Sequence, residues 1–502
     1  MKIEYNMGVY IMEFKKKIKN FTLPSMNVET AVPTLNINIG ACLDMIHCEF
    51  NVGKMGETII NGGLPQYIGL IGSVNNYKTT IAHFMALSAK LKIIKSGYPS
   101  FIETLDTEMS IKPSRLKALA SNVGTELIPH IEAGSWRVTN PSTISTNDWV
   151  SKFEDYVDEK EKNKTLDIEF DAFKDNYSGK TIINKIPTFL EIDTISKFTN
   201  EKALDKLSDN DLDSSDTNTV FMNIGMFKKK FLLPLPRNLT RANIYAILTA
   251  HVSEKIEMLT GPAMYVRPSK QLQYLKGGDE IEGGTKEFKQ TTNLMLQAHT
   301  AKLLANKATK QAEYPMDEND KSETDLNVVM LTVLRNKSGQ SGISIPIVVS
   351  QSQGVLPTLT EFHYLKEVGK FGMEGNDRIY NMELYPEVKL QRTTVRKKID
   401  NDPLLRRAIN ITAELFQMIM LRSEYKESKY IINPKDLYEK IKSMGYDWNK
   451  LLDTRGYWLI DQYDLEIDKP FLSTPDLVNM YFEEYHPWWY PKDGINNNCL
   501  KK

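Results

Sequence analysis

The sequence has little of what secreted or membrane proteins need. Only three cysteines occur in 502 residues, at Cys42, Cys48 and Cys499, too few and too scattered for a disulfide framework or a four-cysteine zinc site. No apolar run approaches the roughly 20 residues that a membrane-spanning helix needs. The segment from Met1 to Lys19 also lacks the apolar stretch of a signal peptide. These absences predict a protein of the reducing cytoplasm with no membrane role.

An excess of charge of one sign is absent as well. The chain has 63 lysines and arginines against 64 aspartates and glutamates, so no overall field attracts it to a polyanion. Contact with nucleic acid would require local basic clusters. With 41% apolar and 25% charged residues, the composition is that of an ordinary globular protein, long enough for about two or three domains or sub-domains.

What the sequence does contain is a series of short apolar runs typical of buried strands. These runs lie at 67–71, 100–105, 188–192, 244–249, 292–297, 328–334 and 343–349. Helical patterns, including 79–92 and 113–121, separate the early runs, which predicts an α/β fold with a mainly parallel sheet. The last three runs follow one another with little helix between them, so we expect the sheet to end in an antiparallel meander.

Two polar segments interrupt this order. Segments 197–219 and 252–282 begin just after predicted strands, at the edge where open α/β sheets bind ligands. We interpret both as loops. The composition changes again at about residue 370, becoming basic and helical and then aromatic. We therefore divide the chain into an N-terminal lead-in (1–60), an α/β core (61–365) and a C-terminal helical or mixed region of unassigned role (366–502).

The residues after the first predicted strand match a phosphate-binding loop. Gly72 is followed by four residues and then by Tyr77, Lys78 and Thr79 at the start of a helix. Such a loop wraps backbone amides around phosphates, with a lysine for the terminal phosphates and a hydroxyl for Mg²⁺. The residues of this predicted ATP and Mg²⁺ site are Gly72, Ser73, Asn75, Asn76, Tyr77, Lys78, Thr79 and Thr80.

One position departs from the motif. Tyr77 stands where its second glycine is expected, so the tyrosine either adopts a strained backbone conformation or marks a variant loop. The alternative to a phosphate site is that Lys78 and Thr79 simply begin an amphipathic helix.

Acidic residues follow two of the later strands, as hydrolysis requires. Asp106-Thr107-Glu108 and Asp193-Thr194 each come directly after an apolar run. Hydrolysis needs one carboxylate to orient the attacking water and another to hold Mg²⁺ through its waters. We predict Glu108 as the general base and Asp193 as the magnesium acid. A single acid at a strand end is often only a cap, so this prediction depends on the ordered set.

The order of these motifs resembles that of RecA and UvsX recombinases, over roughly residues 30–365. The segment 32–40 and the turn Gly63-Leu64-Pro65 before the phosphate loop are similar too, and phage members tolerate an aromatic residue where Tyr77 stands. The resemblance implies a RecA-like P-loop ATPase core and DNA-dependent ATP hydrolysis with Mg²⁺. It further implies filaments on single-stranded DNA that pair and exchange strands with double-stranded DNA.

The same resemblance assigns further roles and partners. It implies that residues 1–60 contribute to self-association, that a single-strand-binding protein and a loader assist, and that the protein works in the cytoplasm of a phage-infected bacterium. Glu108 would be catalytic, and His251 would sense the γ-phosphate and relay its presence to the DNA loops. Arg335 and Lys337 would reach the ATP of a neighbouring subunit. In isolation, a histidine at a strand end is more often structural, and two cations on a turn are often only solvated.

Segment 252–282 would be the second DNA-binding loop of such a protein, closed by the glycine pair Gly283-Gly284. Its candidate phosphate contacts and stacking ring are Lys255, Tyr265, Arg267, Lys270 and Lys276. A solvated loop that binds nothing is the alternative. Segment 197–219, the first loop, is net acidic, and the lysines at 228, 229 and 230 are candidates to compensate.

Two features keep other functions open. Arg115 stands where the family has a tyrosine that stacks on adenine, and together with Tyr77 it suggests a DNA-binding RecA-like protein with weakened catalysis. The segment from Arg335 to Gly339 also fits the arginine finger of a hexameric replicative helicase, although only about 60 residues precede the core, little room for a helical collar. The sequence leaves the choice between filament and ring undecided.

Overall fold

The computed structural model of the protein describes residues 35–174, 179–201, 203, 215–254, 272–276, 279–283, 285–306, 310–317, 319, 322–376, 378–421, 431–496 and 498–501. The strands, in chain order, are β1 (Glu49–Val52), β2 (Thr58–Asn61), β3 (Tyr67–Gly72), β4 (Phe101–Asp106), β5 (Trp136–Thr139), β6 (Asp167–Lys174), β7 (Thr181–Lys185), β8 (Thr188–Asp193), β9 (Ile244–Glu254), β10 (Asp279–Ile281), β11 (Leu294–Ala298), β12 (Lys302–Leu303), β13 (Leu326–Asn336), β14 (Ser344–Ser350), β15 (Gly354–Val355), β16 (Met373–Gly375), β17 (Tyr380–Met382) and β18 (Tyr385–Leu390).

The α-helices are α1 (Lys78–Lys95), α2 (Pro113–Val123), α3 (Leu127–His130), α4 (Thr146–Lys162), α5 (Ser215–Leu232), α6 (Leu235–Ala242), α7 (Lys286–Thr291), α8 (Pro357–Glu367), α9 (Val395–Asn401), α10 (Pro403–Leu421), α11 (Pro434–Ser443), α12 (Trp448–Leu452) and α13 (Thr474–Tyr481). A short π-helix (Ile131–Ser135) follows α3, and 3₁₀ turns lie at Lys164–Leu166 and Asn498–Lys501.

A large central sheet organises the fold. Its strands follow the order β15-β14-β13-β11-β3-β9-β8-β4-β5, with β10 paired to β9 and β12 paired to β13. The strands from β11 to β5 are all parallel, whereas β13, β14 and β15 are antiparallel to their neighbours. The predicted α/β class, the mainly parallel sheet and its antiparallel end are therefore confirmed.

Apolar content explains why the central strands were recognisable. All residues of β3 and of β8 are buried, because a parallel sheet is covered on both faces and its strands read as continuous apolar runs. Helix α1 packs on β3, β8 and β9 and has buried residues on every side. The phosphate-loop helix is thus held firmly in the core.

The structure differs from the prediction at both polar segments. Residues 252–254, predicted as loop, continue β9 and pair with β10, in the register Val252 to Ile281 and Glu254 to Asp279. Residues 215–219, also predicted as loop, begin α5. Both elements depend on partners distant in sequence, which local composition does not reveal. The same reason accounts for the short strands of the β1–β2 and β6–β7 hairpins and the small sheet β16-β17-β18, none of which the apolar pattern indicated.

The C-terminal region packs directly on the core. Thr58 donates its backbone N–H to the Asp476 carboxylate over 2.6 Å, and the Gln417 amide donates to the Cys42 carbonyl over 2.8 Å. One hydrophobic core contains side chains from both parts, including Phe84 of α1 and Leu405 of α10. None of the helices in the described part of the chain has the length and apolar character needed to cross a bilayer.

Candidate nucleotide-binding site

Strand β3 delivers the predicted phosphate loop at the carboxyl edge of the sheet. A β-carbon at Gly72 would overlap the Asn76 amide and the Ala298 carbonyl, so only glycine fits at this position. The Asn76 amide donates to the Ala298 carbonyl over 2.7 Å, which ties the loop to the end of β11. The crest of the loop, at Ser73, Val74 and Asn75, is exposed.

Tyr77 occupies a left-handed backbone conformation, with φ 61° and ψ 20°. Of the two possibilities raised by the missing glycine, the structure shows the strained one, which disfavours an L-residue by about 1–2 kcal/mol. Asn327 compensates by donating its side-chain amide to the Tyr77 hydroxyl over 2.9 Å. No side chain caps α1, so its first backbone N–H groups remain directed at the loop's concavity.

Lys78 is folded into the loop that it begins. Its side chain is 7% exposed, and its ammonium donates to the Ser73 carbonyl over 2.6 Å and to the Asn76 side-chain oxygen over 3.2 Å. Burial lowers the pKa of Lys78, while the nearby carboxylates of Asp193, Glu108 and Glu282 act in the opposite direction. A buried cation in this position is well placed to bind the terminal phosphates of a nucleotide, and the acids opposite it are well placed for the accompanying metal.

Thr79 and Asp193 form a hard-oxygen pair beside this lysine. The Thr79 hydroxyl donates to Asp193 Oδ2 over 2.6 Å, and the Thr249 hydroxyl donates to Asp193 Oδ1. The peptide bond between Asp193 and Thr194 is cis. A hydroxyl and a carboxylate are suitable ligands for Mg²⁺, which usually keeps several of its waters and also binds phosphate oxygens of the substrate. Within the described residues, no group of three or more His, Cys, Asp or Glu side chains is arranged to hold a metal.

Glu108 and His251 meet at the same edge. His251 Nε2 lies 2.7 Å from Glu108 Oε1. Glu108 follows β4, and His251 lies within β9, opposite Gly72 at the end of β3; β4 and β9 flank β8. Asp106 shapes the turn that carries Glu108, because its carboxylate accepts the backbone N–H of Glu108 over 3.2 Å and that of Ile111 over 2.9 Å. His251 Nδ1 is buried and has no partner among the described residues.

A hydrogen-bond relay connects His251 to the β9–β10 ribbon. The His251 backbone N–H donates to the Ser196 hydroxyl over 2.9 Å, and that hydroxyl donates to the Glu282 carbonyl over 2.8 Å. The Glu282 backbone N–H donates to the His251 carbonyl over 2.9 Å. Ser196, Glu282 and Thr249 were not singled out from the sequence. Only their position after β8 and β9, at the ligand-binding edge, was available as a signal.

Neither a scan against protein-family models nor a search of curated proteins returns a match for this chain. The geometry of the site is therefore the main support for any function.

Arg335 and Lys337 lie at the opposite edge of the sheet. The β11–β13 register pairs Leu294 with Asn336 at the start of β11, whereas Ala298 at its end pairs with Gly72. Arg335 Nε donates to the Thr292 carbonyl over 3.3 Å, and Lys337 Nζ to the Thr291 carbonyl over 3.0 Å. The length of β11 therefore separates these cations from the phosphate loop of the same chain, at about 3.3 Å per strand residue.

Arg115 lies on the side of the phosphate loop that faces the β14–β15 turn. Its guanidinium donates to the Ser352 carbonyl. Burial raises the pKa of the Tyr77 phenol, and the positive charge of Arg115 lowers it in part, so these two residues are near neighbours. Thr80, the third residue of α1, is half-buried.

The predicted DNA contacts are only partly within the described structure. Lys276 is exposed, and Gly283 has a positive φ of 62° with Lys228 and Ser196 packed against it. The other candidates, Lys255, Tyr265, Arg267, Lys270 and Gly284, lie outside the described residues, as does the start of the 32–40 segment.

The suggestion that Lys228 supplies basic surface is wrong. Its side chain is 4% exposed, its ammonium donates to the Ser196 carbonyl over 2.9 Å, and burial lowers its pKa to about 8. Lys229 and Lys230 are exposed, and Lys229 pairs with Glu287.

Proposed function

We propose that this protein binds Mg²⁺-ATP at residues 72–80 and hydrolyses it. One observation carries the proposal: Lys78, the Thr79–Asp193 pair and the Glu108–His251 pair converge at one sheet edge. They come from four strand ends that are distant in sequence. The carboxyl edge of an open α/β sheet is where such ligands bind.

Different residues of the site bind different parts of Mg²⁺-ATP. The backbone N–H groups at the start of α1 and the Lys78 ammonium bind phosphate oxygens. Thr79 and Asp193 are the residues that would hold Mg²⁺. When bound, the metal neutralises charge on the phosphates. Lys78 exchanges its bonds to Ser73 and Asn76 for bonds to phosphate, so its burial is compensated in both states.

Glu108 is the base that accepts the proton of the attacking water. Its contact with His251 restrains it, because the carboxylate oxygen that contacts the imidazole is occupied and cannot at the same time receive a proton from water. We infer that His251 turns from Glu108 to the terminal phosphate and so frees the base only when the nucleotide is complete. Ser196 and Glu282 then transmit the movement to the β9–β10 ribbon.

At the finer level, we propose a DNA-dependent ATPase of the RecA and UvsX type that forms filaments on single-stranded DNA and exchanges strands. The motif resemblance supports this, together with a ribbon that leads from His251 into segment 255–271 and with Arg335 and Lys337 at the edge opposite the phosphate loop. Cations in that position fit a neighbour's ATP in a head-to-tail assembly. Arg115 and Tyr77, side by side, are the proposed neighbours of the adenine.

Calorimetry with Mg²⁺-ATP tests the binding step. We expect saturable heat with the wild-type chain, loss of that heat with Lys78→Ala, and no change with Lys117→Ala, an exposed lysine of α2 that pairs with Glu132. Absence of heat with the wild-type chain, or heat unaffected by Lys78→Ala, would show that the loop does not hold a triphosphate.

Assays with DNA test the finer proposal. Affinity for single-stranded DNA should be higher with a non-hydrolysable ATP analogue than with ADP, and equal affinities would defeat the coupling. Head-to-tail contacts that close form a ring, so robust fork unwinding without pairing of homologous strands would assign the protein to the replicative helicases. DNA binding with no ATP turnover would instead indicate a DNA-binding RecA-like protein with weakened catalysis.

A further inference from the structure

A second polar cavity lies away from the nucleotide site, between the core and the C-terminal region. Its volume is about 400 Å³, within the roughly 300–1,000 Å³ of small-molecule sites. The last turns of α1, the start of α8, one side of α10 and the 454–457 segment form its walls. Lys92 lies 14 residues after Lys78 on α1, or about 21 Å along the helix at 1.5 Å per residue. The two sites are therefore separate.

The cavity wall carries more positive than negative charge. Its cations are Lys92, Lys95, Arg406, Arg407, Arg455 and Lys469. Its acids are Asp44, Glu361, Glu414 and Asp468. Even with every acid ionised the excess is positive. Burial and the adjacent Glu414 raise the pKa of Glu361 to about 8, and burial lowers the pKa of Lys92 to about 8. At pH 7 Glu361 is therefore largely neutral and Lys92 largely charged, and the excess remains positive.

Four of the six cations already have partners. Lys95 lies 3.8 Å from the Asp468 carboxylate and 4.0 Å from that of Glu126. Lys469 pairs with Asp453. The guanidinium groups of Arg406 and Arg455 donate to backbone carbonyls.

Arg407 and Lys92 differ from these four. Arg407 is 7% exposed and donates to Asn410 and to the Leu472 carbonyl, but its Nε is buried without an acceptor. Lys92 Nζ lies 5.0 Å from the centre of the Tyr457 ring, and among the described residues no carboxylate is within 4.0 Å of it. A buried donor that lacks an acceptor is costly to a fold unless something fills the position.

We propose that this cavity binds a small phosphate-bearing anion between Lys92 and Arg407, beside the Tyr457 ring. The anion supplies the acceptor that Arg407 Nε lacks and gives the Lys92 ammonium a direct anionic contact, which the more distant carboxylates of Asp44, Glu361 and Asp468 do not make. It contacts α1, α10 and the 454–457 segment together, so its binding ties the C-terminal region to the helix that begins at the phosphate loop.

Calorimetry with pyrophosphate on the full chain carrying Lys78→Ala tests the proposal, since that substitution removes the lysine of the nucleotide loop. We expect one saturable site, weakened at least about tenfold by adding Lys92→Gln. Lys117→Gln, which makes the same charge change on exposed α2, should leave the affinity unchanged. Lys92→Gln is the primary variant because it breaks no ion pair within 4.0 Å among the described residues, and a thermal melt of each protein verifies folding.

A parallel titration with AMP separates an inorganic anion from a nucleotide. Tighter binding of AMP than of pyrophosphate would show that the ligand includes a ring that packs on Tyr457. Equal or weaker binding of AMP would show that the phosphate alone is recognised. No saturable heat with either probe, or equal weakening by Lys92→Gln and Lys117→Gln, would overturn the proposal. Loss of ATP binding by the wild-type chain would contradict the nucleotide site alone, because these titrations do not use it.

Discussion

The two edges of the central sheet are chemically opposite. At the carboxyl edge, one buried cation, Lys78, lies among the carboxylates of Asp193, Glu108 and Glu282. At the other edge, burial and the charge of Arg335 lower the pKa of Lys337, and both side chains donate to backbone carbonyls. The difference favours an assembly in which the cations of one copy complete the acidic site of the next.

Removing the base at the carboxyl edge should have the largest effect. Glu108→Gln should lower kcat for ATP by about 10²–10⁴-fold, the contribution of a general base, and should leave the Kd for Mg²⁺-ATP unchanged. Steady-state turnover and calorimetry measure the two quantities. Glu126→Gln, at an exposed glutamate near the end of α2, is the matched control. Turnover that survives Glu108→Gln would remove Glu108 from the mechanism.

Mixing variants of the two edges tests whether they meet across a subunit contact. Arg335→Ala and Glu108→Gln should each be inactive alone. In an equal mixture, about a quarter of the contacts pair an intact base with an intact arginine, so turnover should return to roughly that fraction of wild type. A mixture as inactive as its components would mean that Arg335 does not act on a neighbour's site.

The pH dependence should distinguish the two edges next. Burial and the neighbouring Arg335 both lower the pKa of Lys337, whereas at Lys78 the surrounding carboxylates oppose the effect of burial. As pH rises, Lys337 therefore loses its charge before an ordinary lysine would. Lys337→Arg keeps the charge, because arginine stays protonated, and should move the alkaline limb of the turnover profile to higher pH. An unchanged limb would show that Lys337 does not contribute to it.

The smallest effect is expected at the strained loop residue. Tyr77→Phe removes the hydroxyl that hydrogen-bonds to Asn327 and Gln351 and should lower stability by about 0.5–1.5 kcal/mol per hydrogen bond lost. Tyr77→Gly relieves the strain of the left-handed backbone but loses the contacts of the ring. These two effects on the free energy of unfolding should largely offset each other. Denaturant unfolding measures both variants. If Tyr77→Gly instead abolishes ATP binding while the fold persists, the ring contacts the nucleotide directly.

The sequence predicted those parts of the molecule that depend on local pattern. Strands β3 and β8 were recognisable because both of their faces are buried, and α1 because Lys78 and Thr79 open a long apolar helix. Parallel strands share one carboxyl edge, so the acids after β4 and β8 and the histidine near the end of β9 were expected to lie near the phosphate loop, and the structure places them there.

What the sequence did not predict depends on contacts between distant segments. The β9–β10 ribbon exists because residues 252–254 pair with residues 279–281, and no local period indicates that pairing. Lys228 looked like surface charge in a basic run, but α5 turns it toward the Ser196 carbonyl. The unfilled donor of Arg407 likewise results from the packing of Leu472 and Gly456 against it.

Strand β9 has a mechanical consequence. It runs without interruption from Ile244 inside the sheet to Glu254 beyond it, and β10 joins it only after His251. Three more residues at about 3.3 Å each extend it roughly 10 Å past the histidine as a stiff two-stranded arm. A small rotation at His251 would therefore be enlarged at the tip of that arm. Under the proposed mechanism, this leverage would transmit nucleotide state outward without unfolding the segment between.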